Sequence, residues 1–314
     1  MATSTVDRSE QGSGTRGRGA RSSVAQAETP AARQRPSLRG WRRGLGLFGL
    51  TLGAIAFLFP FYYMIVGALQ REPNPTLAGA FPSPGNLTLD NWRAINSRVD
   101  LVQTLVNSGI FTGGVILLTL VLGLLAGYAL AQLQFRGRGI VFGGMLLTLV
   151  LPFQLLMIPL YLMIVRGYKL ADTFLGMILP FGVNATAVFI FRQFFRSIPG
   201  ELFESARIDG ASEFQILMRL AIPISRPAII TAVIVTFIGP WNEFLWPFLI
   251  TKDASMQPLA VALANYVSTV AASAANPFGA ILAGATVLAV PAVVVFLIFQ
   301  RYFMSSDIGS SLKG

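Results

Sequence analysis

Cysteine and histidine are both absent from this sequence of 314 residues. Without cysteine, the chain can form neither a disulfide framework nor a thiolate metal site. Without histidine, it lacks the commonest general base and the commonest metal ligand. These absences count against most classes of membrane enzyme, and we expect no catalytic residue, no metal site and no cofactor.

Charged side chains are scarce as well. They make up 12% of the residues, against 54% hydrophobic residues, and the mean hydropathy is +0.63. Soluble domains usually carry about 25% charged residues, so the composition predicts an integral membrane protein. Since a spanning helix needs about 20 apolar residues, we expect an all-α fold with six transmembrane helices. The runs that predict these helices are residues 45–69, 109–131, 140–165, 173–191, 228–250 and 279–299.

The positive charges orient the six runs. The formal net charge is +10, and nine arginines lie within residues 1–43. Further arginines follow the second and fourth runs, and Arg301 and Lys313 follow the sixth, so these segments all fall on one side. Positive residues concentrate on cytoplasmic loops. We therefore predict a multi-pass protein of the cell membrane with both termini in the cytoplasm.

The composition changes twice along the chain and suggests three parts. Residues 1–43 are too polar to bury an apolar core, which predicts a disordered tail. This tail could bind anionic lipid or nucleic acid, or it could be a solvated tail that only fixes the topology. We favour the solvated tail, and expect the lipid bilayer but no nucleic acid among the partners. Residues 44–304 would form the transmembrane domain and residues 305–314 a cytoplasmic carboxyl-terminal tail.

The polar connection at residues 198–227 has local signals for two helices. Pro199 suits the first turn of a helix, which should run to about Ile208. The pair Asp209-Gly210 then favours a turn, because glycine accepts a positive φ. Ser212 and Gln215 have the spacing of a capping box that starts a second helix, with Pro223 ending it. Such a helical hairpin could merely connect two spans, or it could dock a cytosolic partner.

The spacing of this loop resembles the EAA loop of ABC importer permeases. That pattern has E-A-A, three residues, G, nine residues and then I-x-L-P. Glu204-Ser205-Ala206, Gly210 and Leu220-Ala221-Ile222-Pro223 follow it, with mild departures at Ser205, Leu220 and Ile222. The hairpin is accordingly identified as a cytoplasmic EAA coupling-helix hairpin.

Other segments extend the resemblance to roughly residues 45–314. Residues 191–199 are similar to the approach to that loop in sugar permeases, and residues 240–247 to their W-N-x-x-L-W-P signature. The end of the chain is similar to their carboxyl-terminal tail, although residues 306–314 replace the usual G-L-T-x-G-A-V-K-G. The resemblance points to the six-span subunit of the maltose-transporter type, in the carbohydrate-uptake branch.

The resemblance implies a set of partners. An extracytoplasmic solute-binding protein would deliver solute to two different permease subunits, and two ATP-binding subunits would lie below them. This chain has no G-x-x-x-x-G-K-[ST] phosphate loop, so ATP hydrolysis is expected on a separate subunit. The residues expected to contact that ATPase are Glu204, Ser205, Ala206, Asp209, Gly210 and Pro223. Asp209 could instead cap its helix locally.

Candidates for the solute pathway lie in the fourth and fifth runs. Glu243 is the only carboxylate inside a predicted span, and such residues are often functional. It could contact solute or a gate, or have a structural role in a helix running through the whole fifth run. Trp241, Asn242 and Trp246 could bind a sugar, although tryptophan is common at membrane interfaces. Asn184 is a similar candidate in the fourth run.

Three other functions are alternatives to a sugar permease. An ABC permease for glycerol-3-phosphate or another non-sugar solute would share the EAA loop. An integral membrane enzyme would need nucleophiles, bases or metal ligands that the composition does not supply. A scaffold or receptor subunit would carry out no transport.

Overall fold

The structure is a computed structural model that describes residues 38–270 and 276–308. Most of the arginine-rich tail predicted at residues 1–43, and the tail beyond Ile308, lie outside the described residues. The first helix already begins at Leu38, and the last ends at Ile308, so each extends into a segment assigned to a tail.

The described residues fold as helices without a β-strand, and Gln70 and Leu87 form an isolated bridge. The α-helices are α1 (Leu38–Ala68), α2 (Asp90–Asn96), α3 (Leu101–Gln132), α4 (Arg138–Thr148), α5 (Phe153–Tyr161), α6 (Phe174–Ile178), α7 (Ala185–Ser197), α8 (Gly200–Ile208), α9 (Glu213–Ile216), α10 (Ile222–Ile224), α11 (Arg226–Asn242), α12 (Leu245–Ile250), α13 (Leu259–Asn265) and α14 (Pro277–Ile308). Three π-helical segments are Leu162–Gly167, Leu217–Ala221 and Tyr266–Val270. Short 3-10 turns lie at Leu77–Ala80, Pro84–Asn86, Leu179–Phe181 and Ala254–Met256.

The chain divides into two compact units, Met1–Ile55 and Ala56–Gly314. Of the first unit, the structure describes the beginning of α1, whose side chains from Arg43 onward are almost all exposed. The second unit contains the remaining elements and every residue of the sites discussed below.

Three described helices are long and apolar enough to cross a membrane, at Arg43–Ala68, Leu101–Gln132 and Pro277–Gln300. Three bent pairs have the same character when each pair is taken together. The pairs are Arg138–Thr148 with Phe153–Gly167, Phe174–Phe181 with Ala185–Ser197, and Glu213–Ile224 with Arg226–Asn242, bent by 98°, 50° and 77°. The described residues therefore contain three candidate spans, or up to six if each bent pair is one span.

Prolines account for some of these bends but not for others. Pro152 immediately precedes α5 after a break, and Pro180 lies in the 3-10 turn before the break ahead of α7. Proline removes a backbone donor and disfavours helix in the residue before it. However, α1 and α14 continue unbroken through Pro60 and Pro291. A helix tolerates such a proline when neighbouring groups satisfy the carbonyl that has lost its backbone hydrogen bond.

Close packing of α3 against α7 forms the centre of the second unit. A Cβ on Gly127 would lie 2.6 Å from the Cβ of Phe191, and one on Gly123 would lie 3.2 Å from the Phe191 ring. The two glycines therefore let the helices approach, as small residues four positions apart do in membrane proteins. A cluster of buried side chains continues from here to the connection at residues 198–227.

Candidate functional site

The first arm of the loop at residues 198–227 is helix α8. Pro199 precedes it, and Glu201 in its first turn is favoured by the helix dipole. The helix ends at Ile208 as predicted, and Gly210 follows with a φ of +80°. The Ala211 N–H donates to the Ala206 carbonyl at 3.0 Å, and the Gly210 N–H donates to the Arg207 carbonyl at 3.0 Å. These two bonds form a Schellman motif, in which a positive φ after the helix end is what glycine provides.

The second arm begins with the predicted capping box. The Ser212 side chain accepts from the Gln215 N–H at 3.3 Å, and the Gln215 side chain accepts from the Ser212 N–H at 2.8 Å. The prediction that Pro223 ends this helix is wrong. Residues Leu217–Ala221 wind as a π-helix, whose wider turn lets the helical path continue through Pro223 to Ile224.

A side-chain ion pair joins the two arms across the turn. The Arg207 Nε donates to the Glu213 Oε1 at 2.7 Å, and both side chains are about two-fifths exposed. This hydrogen bond raises the pKa of the Arg207 guanidinium above its ordinary value, so the group stays charged. An exposed pair of this kind stabilises a protein by only about 0.2–1 kcal/mol, so it orients the arms more than it stabilises them.

One face of the hairpin is buried against α3 and α7. Phe203 of α8 and Ile216 of α9 are almost fully buried, in one cluster with Phe195 of α7 and Tyr128 of α3. Burial of such side chains stabilises a fold by about 1.5–3 kcal/mol each. The hairpin is therefore fixed to the ends of α3 and α7.

The opposite face of the hairpin is exposed and partly apolar. Ile208 is 85% exposed and Phe214 is 65% exposed, and Leu202 and Met218 are also exposed. In the second arm, Ile216, Leu217 and Ala221 are the buried residues, whereas Phe214 and Met218 lie on the exposed face. No sequence motif indicates a role for Ile208, and the one available signal is its position immediately before the turn. Exposed apolar side chains grouped in this way often mark a protein–protein contact.

The predicted coupling residues lie along this hairpin. Glu204, Ser205, Asp209, Gly210 and Pro223 are exposed, whereas Ala206 is half-buried. Within the described ranges, neither Glu204 nor Asp209 has a side-chain hydrogen bond or ion pair. Asp209 occupies the C-cap position, but its backbone N–H and not its carboxylate makes the local bond, to the Ser205 carbonyl. Both carboxylates are available to a partner.

Two of the pathway candidates are buried in the helix packing. Trp241 is 6% exposed, stacks on Phe237, and donates from its indole Nε1 to the Leu288 carbonyl at 3.0 Å. Trp246 is fully buried, and its Nε1 donates to the Gly176 carbonyl at 3.1 Å. Each indole N–H is therefore satisfied by a backbone carbonyl of another helix, as buried tryptophans usually are.

Glu243 does not lie inside a helix. The prediction of one continuous fifth helix is wrong, because α11 ends at Asn242 and α12 begins at Leu245. The Glu243 Oε1 accepts from the Leu245 and Trp246 N–H groups at 3.0 and 3.1 Å. The carboxylate thus caps the start of α12, where the first N–H groups of a helix lack partners.

Two asparagines lie at the helix breaks. The Asn184 Oδ1 accepts from the Ala187 N–H at 3.1 Å and caps α7, which is a structural role. Asn242 is exposed at the end of α11, and its Nδ2 donates to the Ile238 carbonyl at 2.9 Å. Asn242 lines an apolar groove of about 370 Å³ with Phe237, Ala292 and neighbouring side chains of α11 and α14. No cluster of three or more acidic side chains in the described ranges could hold a metal ion.

Comparisons with known proteins agree with this architecture. Residues 119–305 match a family described as "Binding-protein-dependent transport system inner membrane component". The arabinooligosaccharides transport system permease protein AraQ of Bacillus subtilis (strain 168) is 32% identical over 288 residues, covering 90% of this chain and 99% of the relative. The sn-glycerol-3-phosphate transport system permease protein UgpE of Yersinia pestis bv. Antiqua (strain Antiqua) is 32% identical over 278 residues, covering 86% and 98%.

A solved structure shares the fold. It is the crystal structure of a bacterial ABC transporter involved in the import of the acidic polysaccharide alginate. One of its chains superposes with a TM-score of 0.73 at 22% identity, covering 85% of this chain and 98% of that chain.

Proposed function

We propose a function on the premise that this chain belongs to the family of binding-protein-dependent transport system inner membrane components. Its resemblance to ABC importer permeases is confirmed by that membership. The proposal is that the chain is the permease subunit of an ATP-driven importer for a sugar or oligosaccharide. The relative named for arabinooligosaccharides supports this solute class. The relative named for sn-glycerol-3-phosphate, at the same 32% identity, supports the alternative of a phosphorylated polyol.

In this proposal, the three long helices and the three bent pairs provide six membrane spans, with Glu213–Ile224 of the third pair in the cytoplasmic hairpin and Arg226–Asn242 in the membrane. The bends of the first two pairs would lie inside the membrane, where neighbouring helices satisfy the freed backbone groups. Capping by Asn184 supports the bend in the second pair, since its side chain accepts from a backbone N–H group at that break. The distribution of arginine supports placing both termini and the hairpin in the cytoplasm.

The observation that carries the proposal is the two-sided hairpin of α8 and α9. Its buried face holds it to α3 and α7, and its exposed face presents Ile208, Phe214 and the unpaired Glu204 carboxylate. We infer that this exposed face fits a groove on an ATP-binding subunit, with Glu204 next to a basic partner residue. Ser205, Ala206, Asp209 and Gly210 would complete the contact, with Pro223 at the far end of the second arm. Closure of two such subunits would then move the hairpin and open the permease towards alternate sides.

The remaining partners follow from the same reasoning. A second, different permease subunit would complete the pathway, and an extracytoplasmic binding protein would deliver the solute. Of the five pathway candidates, we propose that Asn242 contacts solute, because its amide is exposed in a groove. Asn184, Trp241, Glu243 and Trp246 would hold the helices in place.

Reconstitution tests this function. The complete complex is placed in proteoliposomes, and uptake of a labelled arabinooligosaccharide is compared with uptake of labelled sn-glycerol-3-phosphate. We expect uptake of the oligosaccharide that requires both ATP and the binding protein. Preferential uptake of glycerol-3-phosphate would favour the alternative solute, and ATP hydrolysis without uptake of any solute would contradict a transport function.

A further inference from the structure

Tyr128, near the end of membrane helix α3, contacts the hairpin directly. Its hydroxyl donates to the Glu213 Oε2 at 2.6 Å, although the two residues are 85 positions apart. Tyr128 is 3% exposed. A short hydrogen bond to a carboxylate is stronger than one between neutral groups, and it fixes direction as well as distance.

The same carboxylate also holds the other arm of the hairpin. The Glu213 Oε1 accepts from the Arg207 Nε at 2.7 Å, while Oε2 accepts from Tyr128. One side chain therefore joins α3, α8 and α9. Tyr128 lies on the buried side of this cluster, and Arg207 lies on its exposed side towards the turn.

Aromatic packing surrounds the phenol ring. The Tyr128 ring lies edge-to-face with the Phe195 ring at 5.7 Å and 87°, and the Phe203 ring centre is 6.3 Å away. Apolar contacts hold these elements together but are non-directional, so they leave the hairpin some freedom to slide. The hydroxyl is the part of the residue that fixes the position of α9 along α3.

We propose that Tyr128, Glu213 and Arg207 form a link through which displacement of the hairpin moves α3. Tyr128 is a positioning residue in this link, since it touches neither solute nor nucleotide. The inference rests on the proposed function of the hairpin and adds the place where motion enters the membrane. Without the hydroxyl, the hairpin still docks on its ATP-binding subunit, but its movement is passed on only through apolar contacts.

Tyr128→Phe tests the link because it keeps the ring and removes only the hydroxyl. In the reconstituted complex, we expect normal assembly, retained ATP hydrolysis and an approximately tenfold fall in solute taken up per ATP hydrolysed. A tenfold change corresponds to about 1.4 kcal/mol. Tyr62→Phe is the matched control, since its hydroxyl donates to the Ala80 carbonyl at 2.8 Å away from the hairpin. The ratio of uptake to hydrolysis in the control should equal that of the unmodified chain.

Substitutions at Glu213 separate transmission from simple stability. Glu213→Gln keeps an acceptor oxygen for Tyr128 and should retain most of the ratio of solute uptake to ATP hydrolysis. Glu213→Ala should lower this ratio, as Tyr128→Phe does. The double variant Tyr128→Phe/Glu213→Ala should be no worse than Glu213→Ala alone, because Glu213→Ala already removes the bond that Tyr128→Phe removes. If Tyr128→Phe fails to assemble, the comparison of Gln with Ala at position 213 decides the matter.

Two results would overturn the inference. One is an unchanged ratio in Tyr128→Phe, or in Glu213→Ala where Tyr128→Phe does not assemble. The other is a double variant whose loss is the product of the two single losses. Either result leaves the proposed function intact, provided that the unmodified complex carries out ATP-driven uptake. Absence of that uptake would instead contradict the proposed function itself.

Discussion

Gly210 provides the sharpest perturbation of the hairpin. We expect Gly210→Trp to leave membrane insertion intact while uncoupling solute uptake from ATP hydrolysis. The residue has a φ of +80°, and a Cβ placed on it would have no described atom within 4 Å. The chain itself therefore has room for a side chain at this position. If a larger side chain causes a larger loss of uptake, the clash must be with a partner.

The cost of backbone strain at this position can be bounded. An L-residue in the left-handed region costs about 1–2 kcal/mol relative to the right-handed region. A side chain also restricts the unfolded chain, which offsets about 0.4–1 kcal/mol of this cost. The net destabilisation is about 1 kcal/mol, roughly a fivefold shift in an equilibrium. Buried Phe203 and Ile216 keep the hairpin attached to the membrane helices, so strain alone should not unfold it.

Three substitutions separate strain from contact with the ATP-binding subunit. Gly210→Ala adds strain with little volume, Gly210→Asn adds volume with less strain because asparagine tolerates a positive φ, and Gly210→Trp adds both. Uptake, ATP hydrolysis and binding of the ATP-binding subunit are measured for each in proteoliposomes. If a partner backbone approaches Gly210, the loss of uptake and of binding to the ATP-binding subunit should increase with side-chain volume. Gly210→Ala should then lose least and Gly210→Trp most.

Strain as the only cause would give a different order. Ala and Trp would then lose the same small amount of uptake, and Asn would remain close to the unmodified chain. Normal uptake together with normal binding of the ATP-binding subunit in Gly210→Trp would refute the assignment of this turn to the contact.

Three further predictions concern packing, capping and solute contact. Gly127→Ala should destabilise the purified chain by about 1–3 kcal/mol, because its Cβ would lie 2.6 Å from that of Phe191. Gly113→Ala in the same helix, with open space around its Cβ, should not lower the thermal unfolding midpoint. Glu243→Ala should destabilise the purified chain by about 0.5–2 kcal/mol through loss of the cap on α12, and Glu243→Gln should destabilise it much less. A Gln variant with normal stability but no uptake would indicate that Glu243 contacts solute instead. Asn242→Ala should raise the KM for uptake without changing the unfolding midpoint, and an unchanged KM would remove it from the pathway.

The turn of the hairpin could be predicted because its signals are local. Gly210 one residue beyond the C-cap and the Ser212–Gln215 spacing act within a few residues, and both motifs are present in the structure.

Features that hydropathy and local spacing do not report could not be predicted. The apolar run at residues 228–250 gave no sign of the break at Glu243, because hydropathy does not show that this carboxylate accepts from the first N–H groups of a new helix. Helical periodicity could not show that Ile216 faces the core and that Phe214 does not. The bond from Tyr128 to Glu213 joins positions whose proximity depends on the whole fold.

Cysteine-specific crosslinking tests the central claim most directly, because the natural chain contains no cysteine. Single cysteines replace Ile208, which is 85% exposed on the hairpin, and Phe81, which is 82% exposed before α2. In cells, we predict that Ile208→Cys crosslinks to the ATP-binding subunit and is protected from a membrane-impermeant maleimide added outside. Phe81→Cys should be labelled from outside and should form no such crosslink. Labelling of Ile208→Cys from outside, or crosslinking through Phe81→Cys in its place, would contradict the assignment of the hairpin as the cytoplasmic coupling element.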